Sequence, residues 1–154
     1  MSKITVIPYD DKYAADLAEL LLSFSEEIYG AGTVDLNRFV EDHWFIYLAM
    51  DGEKVVGFSS YIYNTYFGLR PPTIGNSYLY VTPQYRGGRA AYLLTKQTGY
   101  VSIDTGLPLE LYFASDESRA VAERSLGVNE GTKVYTAHLY SLEHTKQGYK
   151  FYTK

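Results

Sequence analysis

A chain of 154 residues, 46% of them apolar, suffices for one well-buried core and little more, so a single domain over residues 1–154 is expected. It has no cysteine, which excludes a disulfide framework and a thiolate nucleophile, and its three histidines lack ligand spacing, which argues against a metal site. A formal charge of -4 provides no broad basic field and disfavours nucleic acid as a partner.

In chain order, "KITVIP" alternates as a first strand, and Asp10 or Asp11 can cap a helix whose apolar positions Tyr13, Leu17, Leu20, Leu21 and Phe24 recur at helical spacing and fade by Ile28. "YGAGT" reads as a loop and "VDLNRFVEDHW" as a short second helix capped by Asp35. "FIYLAM" and "VVGFSSYIYN" flank the turn Asp51, Gly52, Glu53, Lys54 and predict a hairpin. Two prolines in "FGLRPPT" break the chain before a fourth strand, "IGNSYLYV", that stops at Pro83. A helix over "AAYLLTKQTGYVSI", a buried strand "LELYFA", a helix "SDESRAVAERSLG" and a long strand "KVYTAHLYSL" follow, and the tail "EHTKQGYKFYTK" can add an edge strand. The 17 tyrosines suit a half-buried sheet whose polar tips face clefts. No apolar run is long enough to span a bilayer and the N-terminus lacks a signal-peptide layout, which with the absent cysteine leads to the expectation of a cytoplasmic protein without a membrane partner.

The segment most informative about chemistry is "LYVTPQYRGGRAAYLL", residues 79–94. A strand that feeds a glycine-rich turn into a helix leaves backbone N–H groups unpaired and pointing the same way, which makes an anion site. Gly87 and Gly88 allow close approach of an oxyanion and accept positive φ, and Arg86 and Arg89 can neutralise two charges, as a pyrophosphate requires. A plain tight turn with solvated arginines is the competing reading of this segment alone.

The order of elements, with "VTPQYRGGRAAYLL" after the fourth strand, resembles the GNAT superfamily of N-acetyltransferases. Val81, Pro83, Tyr85, Arg86, Gly87 and Ala91 match that family's Val-x-Pro-x-Tyr lead-in and Arg-Gly-x-Gly-x-Gly/Ala signature, and "LAMDGEKVVGFSSY" resembles its second and third strands. Arg89 stands where the family has its middle glycine. The resemblance implies an α+β fold, a mixed, mostly antiparallel sheet of six or seven strands flanked by about four helices, with the fourth and fifth strands splayed. It also implies acetyl-CoA as acyl donor and no metal. The pyrophosphate would lie on residues 86–91 (Arg86, Gly87, Gly88, Arg89, Ala90, Ala91), the thioester carbonyl on a backbone N–H near Tyr80 or Val81, and Asp116 near the cofactor, where it competes with a role as helix cap. An amine would attack the thioester directly, without an acyl-enzyme.

For protonation of the leaving thiolate, the family's helical tyrosine falls on Glu123, a poorer donor near neutral pH unless burial raises its pKa and otherwise a solvated helix residue. Tyr80 on the fourth strand and Tyr135 on the sixth can supply a phenol, although a strand tyrosine is by default core or cleft lining. His43 and His138 are lone histidines, structural by default. The acceptor would meet "FSEEIYGAGTVDLN" and the region after the sixth strand; Glu26, Glu27, Asp35, Glu41 and Asp42 favour a cationic amine there, or simply cap and solubilise short helices. A small-molecule or peptide amine is the expected partner, and a homodimer through edge strands or the aromatic face fits the pattern. Arg89 and Glu123 also admit a catalytically inactive GNAT-fold binding or inhibitory module. Acyl transfer onto modified bases is weakened by the acidic charge.

Overall fold

The computed structural model describes residues 3–69, 71–113, 133–138 and 150–153. The elements are β1 (Ile4–Pro8), α1 (Ala14–Tyr29), α2 (Leu36–Asp42), β2 (Phe45–Asp51), β3 (Lys54–Asn64), β4 (Thr73–Val81), α3 (Arg89–Thr105), β5 (Leu109–Phe113), β6 (Lys133–His138) and β7 (Lys150–Thr153). They form two compact units, Met1–Tyr61 with Tyr78–Leu94 and Ile62–Ser77 with Thr95–Lys154. The seven strands among the described residues are mixed in direction and reproduce the α+β expectation. Among the described residues no helix is long and apolar enough to cross a membrane.

In the first unit β1, β2 and β3 are antiparallel, and the β2–β3 hairpin closes on the pair Asp51↔Lys54 with Gly52 at φ +60°, as the turn residues predict. Asp10 accepts from the Lys12 N–H and starts a single 3₁₀ turn that runs into α1, which lasts one residue beyond the expected Ile28. The helix ends at Gly30, at φ +67°, whose N–H returns to the Glu26 carbonyl at 3.0 Å. Leu17, Leu20 and Leu21 of α1 are buried against Ile46, Leu48, Met50, Val55, Phe58 and Tyr80 on one face of the strands. On the other face Ala49, Val56 and Val81 pack against Ala90 and Leu94 of α3. Neighbouring strand residues such as Tyr80 and Val81 thus fall in different cores, as the two-residue period requires. A side chain at Gly57 would place its Cβ 2.7 Å from the Tyr80 carbonyl oxygen, so that position admits only glycine.

In the second unit β4 pairs in parallel with β5 only through Ile74↔Leu109, Gly75↔Glu110 and Asn76↔Leu111. Those three pairs are the β4–β5 register among the described residues, and β4 itself runs to Val81. β5 pairs in parallel with β6, and β6 pairs antiparallel with β7, the edge strand read from the tail. Glu110 is fully buried; its Oε2 accepts from Asn64 Nδ2 at 3.2 Å and Thr73 Oγ1 at 3.0 Å. The α3 terminus is satisfied locally, with Gly106 at φ +72° donating to Ser102 O and Thr105 Oγ1 donating to Val101 O. The helix expected over "SDESRAVAERSLG" lies outside the described residues.

Candidate functional site

The turn between β4 and α3 is built in three steps, all within the first unit. Thr82 N–H donates to Val56 O at 2.9 Å, fixing the end of β4. Pro83 then starts a 3₁₀ turn through Tyr85, and Gly87, at φ +78°, bends the chain into α3. Tyr85 donates its hydroxyl to Asp51 Oδ2 at 2.6 Å, and Lys54 lies 5.6 Å from its ring centre, so both ends of the hairpin turn hold the bend. The Arg86 N–H is used internally, on Pro83 O at 3.3 Å, and Ala90 is buried in the core. Gly87, Gly88 and Arg89 are exposed, and among the described residues none of their N–H groups has a main-chain partner outside the helix. A Cβ built on Gly87 meets nothing within 4 Å. The space over this bend is therefore open to a ligand at the positive end of a 17-residue helix.

The two arginines occupy different settings. Arg89 is exposed, its guanidinium 5.7 Å from the Tyr92 ring centre. The Arg86 guanidinium bonds Glu27 Oε2 at 2.7 Å and the Val81 carbonyl at 2.9 Å and lies 5.3 Å from the Tyr80 ring centre. Tyr80 donates its hydroxyl to the same Glu27 oxygen at 3.2 Å. The hydrogen bond and charge of Arg86 hold the Glu27 carboxyl below the usual carboxylate range, while burial and Glu27 push the Tyr80 phenol up. At neutral pH the cluster is thus carboxylate, guanidinium and neutral phenol. It opens on a cavity of about 460 Å³ lined by Ser23, Glu26, Glu27, Tyr80, Thr82, Pro83 and Gln84.

A second cavity, of about 330 Å³, lies at the α1–α2 loop, lined by Phe24, Tyr29, Phe39 and Tyr78 together with smaller residues and Asp35. Phe24 meets Tyr78 edge-on with centroids 5.0 Å apart and Tyr80 at 5.5 Å. The Tyr29 and Tyr78 hydroxyls are 3.3 Å apart, and that bond together with burial pushes the Tyr78 phenol up to about 12. The loop is held to the helix by Ala31 N–H on Ser25 O and Thr33 N–H on Ser25 Oγ.

The structure therefore brings Tyr80, Val81, Arg86, Gly87, Gly88, Arg89, Ala90 and Ala91 into one region of the first unit. Tyr135 lies on β6, in the second unit, where only the backbone is described, and Glu123 and Asp116 lie outside the described residues. Asp35 caps α2, accepting from Arg38 N–H at 3.1 Å. His43 is structural: its Nδ1 is 2.6 Å from Phe39 O at the end of α2 and its ring lies 4.2 Å from that of Phe39. Burial lowers its pKa, so the neutral form is the folded one. A folded pKa below the unfolded value gives stability that is complete above about pH 6.5 and is lost as pH falls through the folded pKa. Thermal melts between pH 7 and 5 are expected to show this loss, with a smaller slope for His43→Asn; equal slopes would remove His43 as its source.

Neither a family model nor a curated protein matches the sequence. Solved structures do match the fold. A Trypanosoma brucei acetyltransferase superposes with a TM-score of 0.63 at 19% identity over 82% of this chain and 93% of its own. A GNAT-family acetyltransferase of Staphylococcus aureus Mu50 gives 0.62 at 15% identity over 81% and 84%. An aminoglycoside acetyltransferase from an uncultured soil metagenomic sample, in complex with sisomicin, gives 0.62 at 12% identity over 90% and 95%. The fold is that of the GNAT acetyltransferases.

Proposed function

We propose that this chain is an acetyl-CoA-dependent N-acetyltransferase that moves an acetyl group directly to a primary amine of a small molecule, peptide or protein. The observation that carries the reading is the bend at Gly87, which presents the exposed Gly87, Gly88 and Arg89 residues at the head of α3 with open space above them. A pyrophosphate fits such an end because the helix dipole and converging N–H groups favour negative charge and the glycines let it approach. From there the pantetheine arm would follow the edge of β4 towards Tyr80 and Val81.

At that edge, the amine nitrogen attacks the thioester carbonyl carbon and the carbonyl oxygen takes up charge, which a backbone N–H near Tyr80 or Val81 would receive. The bound ammonium releases one proton to solvent before it attacks; collapse then breaks the C–S bond, the thiolate takes the Tyr80 proton, and the surplus proton on the new amide nitrogen returns to the Tyr80 oxygen. Tyr80, kept neutral by its setting, has a proton to give, and Glu27, kept ionised, attracts an ammonium group and accepts hydrogen bonds from it.

Isothermal calorimetry with acetyl-CoA and thiol release against an amine panel test the reading. Saturable binding with turnover supports it. Binding without turnover of any amine favours the inactive binding module, and absence of binding overturns both. Glu27→Gln separates the two ligands by sign. Loss of the carboxylate beside Arg86 is expected to tighten acetyl-CoA roughly threefold, and kcat/KM for a cationic amine should fall about tenfold. A parallel loss of both would show that Glu27 only supports the turn.

A further inference from the structure

The aromatic cleft at the α1–α2 loop has no task in binding the acyl donor, and its composition specifies an acceptor. Four rings, Phe24, Tyr29, Phe39 and Tyr78, make up most of the bulk of its lining; Asp35 also lines it but is engaged as the α2 cap, and Glu26 and Glu27 line the other cavity. The walls are preformed. Phe24 and Tyr29 meet edge-on at 6.2 Å, Phe39 stacks on Tyr78 at 6.3 Å, and the loop is tied to Ser25. Resting on the acetyl-transfer reading above, we propose that the acceptor is a primary amine carried on an aromatic body by a short arm of two or three carbons, with the ring seated between Tyr29, Phe39 and Tyr78.

Three features support it. The volume of about 330 Å³ admits one or two rings and falls at the small end of ligand pockets. Ser25 and Asp35 also line the cavity, but Ser25 Oγ already accepts from Thr33 N–H and Asp35 from Arg38 N–H, so the hydroxyls of a polyhydroxylated cation would gain few new partners for the water they lose. The arm length follows from the strand: Tyr78 and Tyr80 lie on the same face of β4 with one residue between them, about 6–7 Å apart, and Phe24 touches both. A ring held at Tyr78 thus delivers a nitrogen two or three carbons away to Tyr80, where Glu27 holds a carboxylate for its charge. The Tyr78 hydroxyl, 3.3 Å from that of Tyr29, is kept neutral by that bond and by burial, so this side of the cleft is polar and repels no neutral ring.

The test compares 2-phenylethylamine and the peptide Phe-Gly-Gly, which share the ring and two-carbon spacing, with n-butylamine and spermidine, by thiol release at saturating acetyl-CoA and by saturation-transfer NMR of each amine on the full chain without acetyl-CoA. The expected result is a kcat/KM at least about tenfold higher for 2-phenylethylamine than for n-butylamine, with ring protons saturated in the NMR experiment. The same preference for Phe-Gly-Gly would place the ring on a peptide N-terminus, and its restriction to 2-phenylethylamine on a free amine; both support the proposal. Tyr29 is 64% exposed, so its truncation leaves the core intact. Tyr29→Ala should collapse the aromatic-to-aliphatic ratio towards one, and Tyr29→Phe should keep it. Equal kcat/KM for the two small amines, preference for spermidine, or an unchanged ratio in Tyr29→Ala overturns the proposal. Ring saturation in a chain that binds no acetyl-CoA would instead overturn acetyl transfer and leave the aromatic cleft standing as a binding site.

Discussion

Gly88→Glu is expected to weaken acetyl-CoA binding by about a hundredfold or more while the melting temperature stays close to that of the parent, because like charges forced together cost several kcal/mol. The position permits this separation. Gly88 has no positive φ, and a Cβ there meets only the Tyr85 carbonyl oxygen, at an ordinary 3.5 Å, so the backbone tolerates a side chain. The new carboxylate would stand over the N–H groups of Gly87 and Arg89, where the diphosphate is placed. Gly87→Glu would be a poorer experiment, since φ +78° strains any side chain and confounds binding with folding. Calorimetry and a thermal melt on the same preparation decide. Undiminished affinity in a folded Gly88→Glu protein would remove the turn from the cofactor site.

Glu110→Ala is expected to cost about 3–5 kcal/mol, a large part of the stability of a chain this size. Glu110 is fully buried on β5, and its carboxylate receives the Asn64 amide and the Thr73 hydroxyl from β3 and β4. Truncation opens a cavity and leaves both donors without their acceptor, and a buried donor without a partner forfeits its hydration. Glu110→Gln keeps the volume and one acceptor oxygen and should cost only about 1–2 kcal/mol. Denaturant titration of the three proteins measures the difference. An alanine variant within about 1 kcal/mol of the parent would show that the network contributes little.

The sequence carried the local parts of this molecule well. Asp51 to Lys54 closes the hairpin because its glycine accepts the required positive φ, and Asp10 and Asp35 start their helices because a carboxylate beside unpaired N–H groups is stabilised wherever it occurs. The bend at Gly87 was legible for the same reason. Contacts between distant residues were not. Arg86 read as a phosphate-binding cation, and nothing near it announced that Glu27, 59 positions earlier, would hold its guanidinium. The clue to Glu110 was faint, a lone acid inside the apolar run "LELYFA". The aromatic cleft joins residues of α1, α2 and β4 that share no spacing, so only the fold shows Phe24, Phe39 and Tyr78 as one wall. The abundance of tyrosine did give a usable hint, since the Tyr61, Tyr80 and Tyr85 hydroxyls each reach a polar partner from a mostly apolar setting.

The bond from Tyr85 to Asp51 has a thermodynamic consequence. It anchors the glycine bend to the tip of a neighbouring hairpin, so the proposed receptor for the diphosphate would already be in shape before any nucleotide arrives. Little ordering is left for the moment of capture, and association should proceed with a modest entropy penalty and almost no movement of the main chain. Tyr85→Phe would convert this rigid socket into one that each incoming molecule has to assemble for itself.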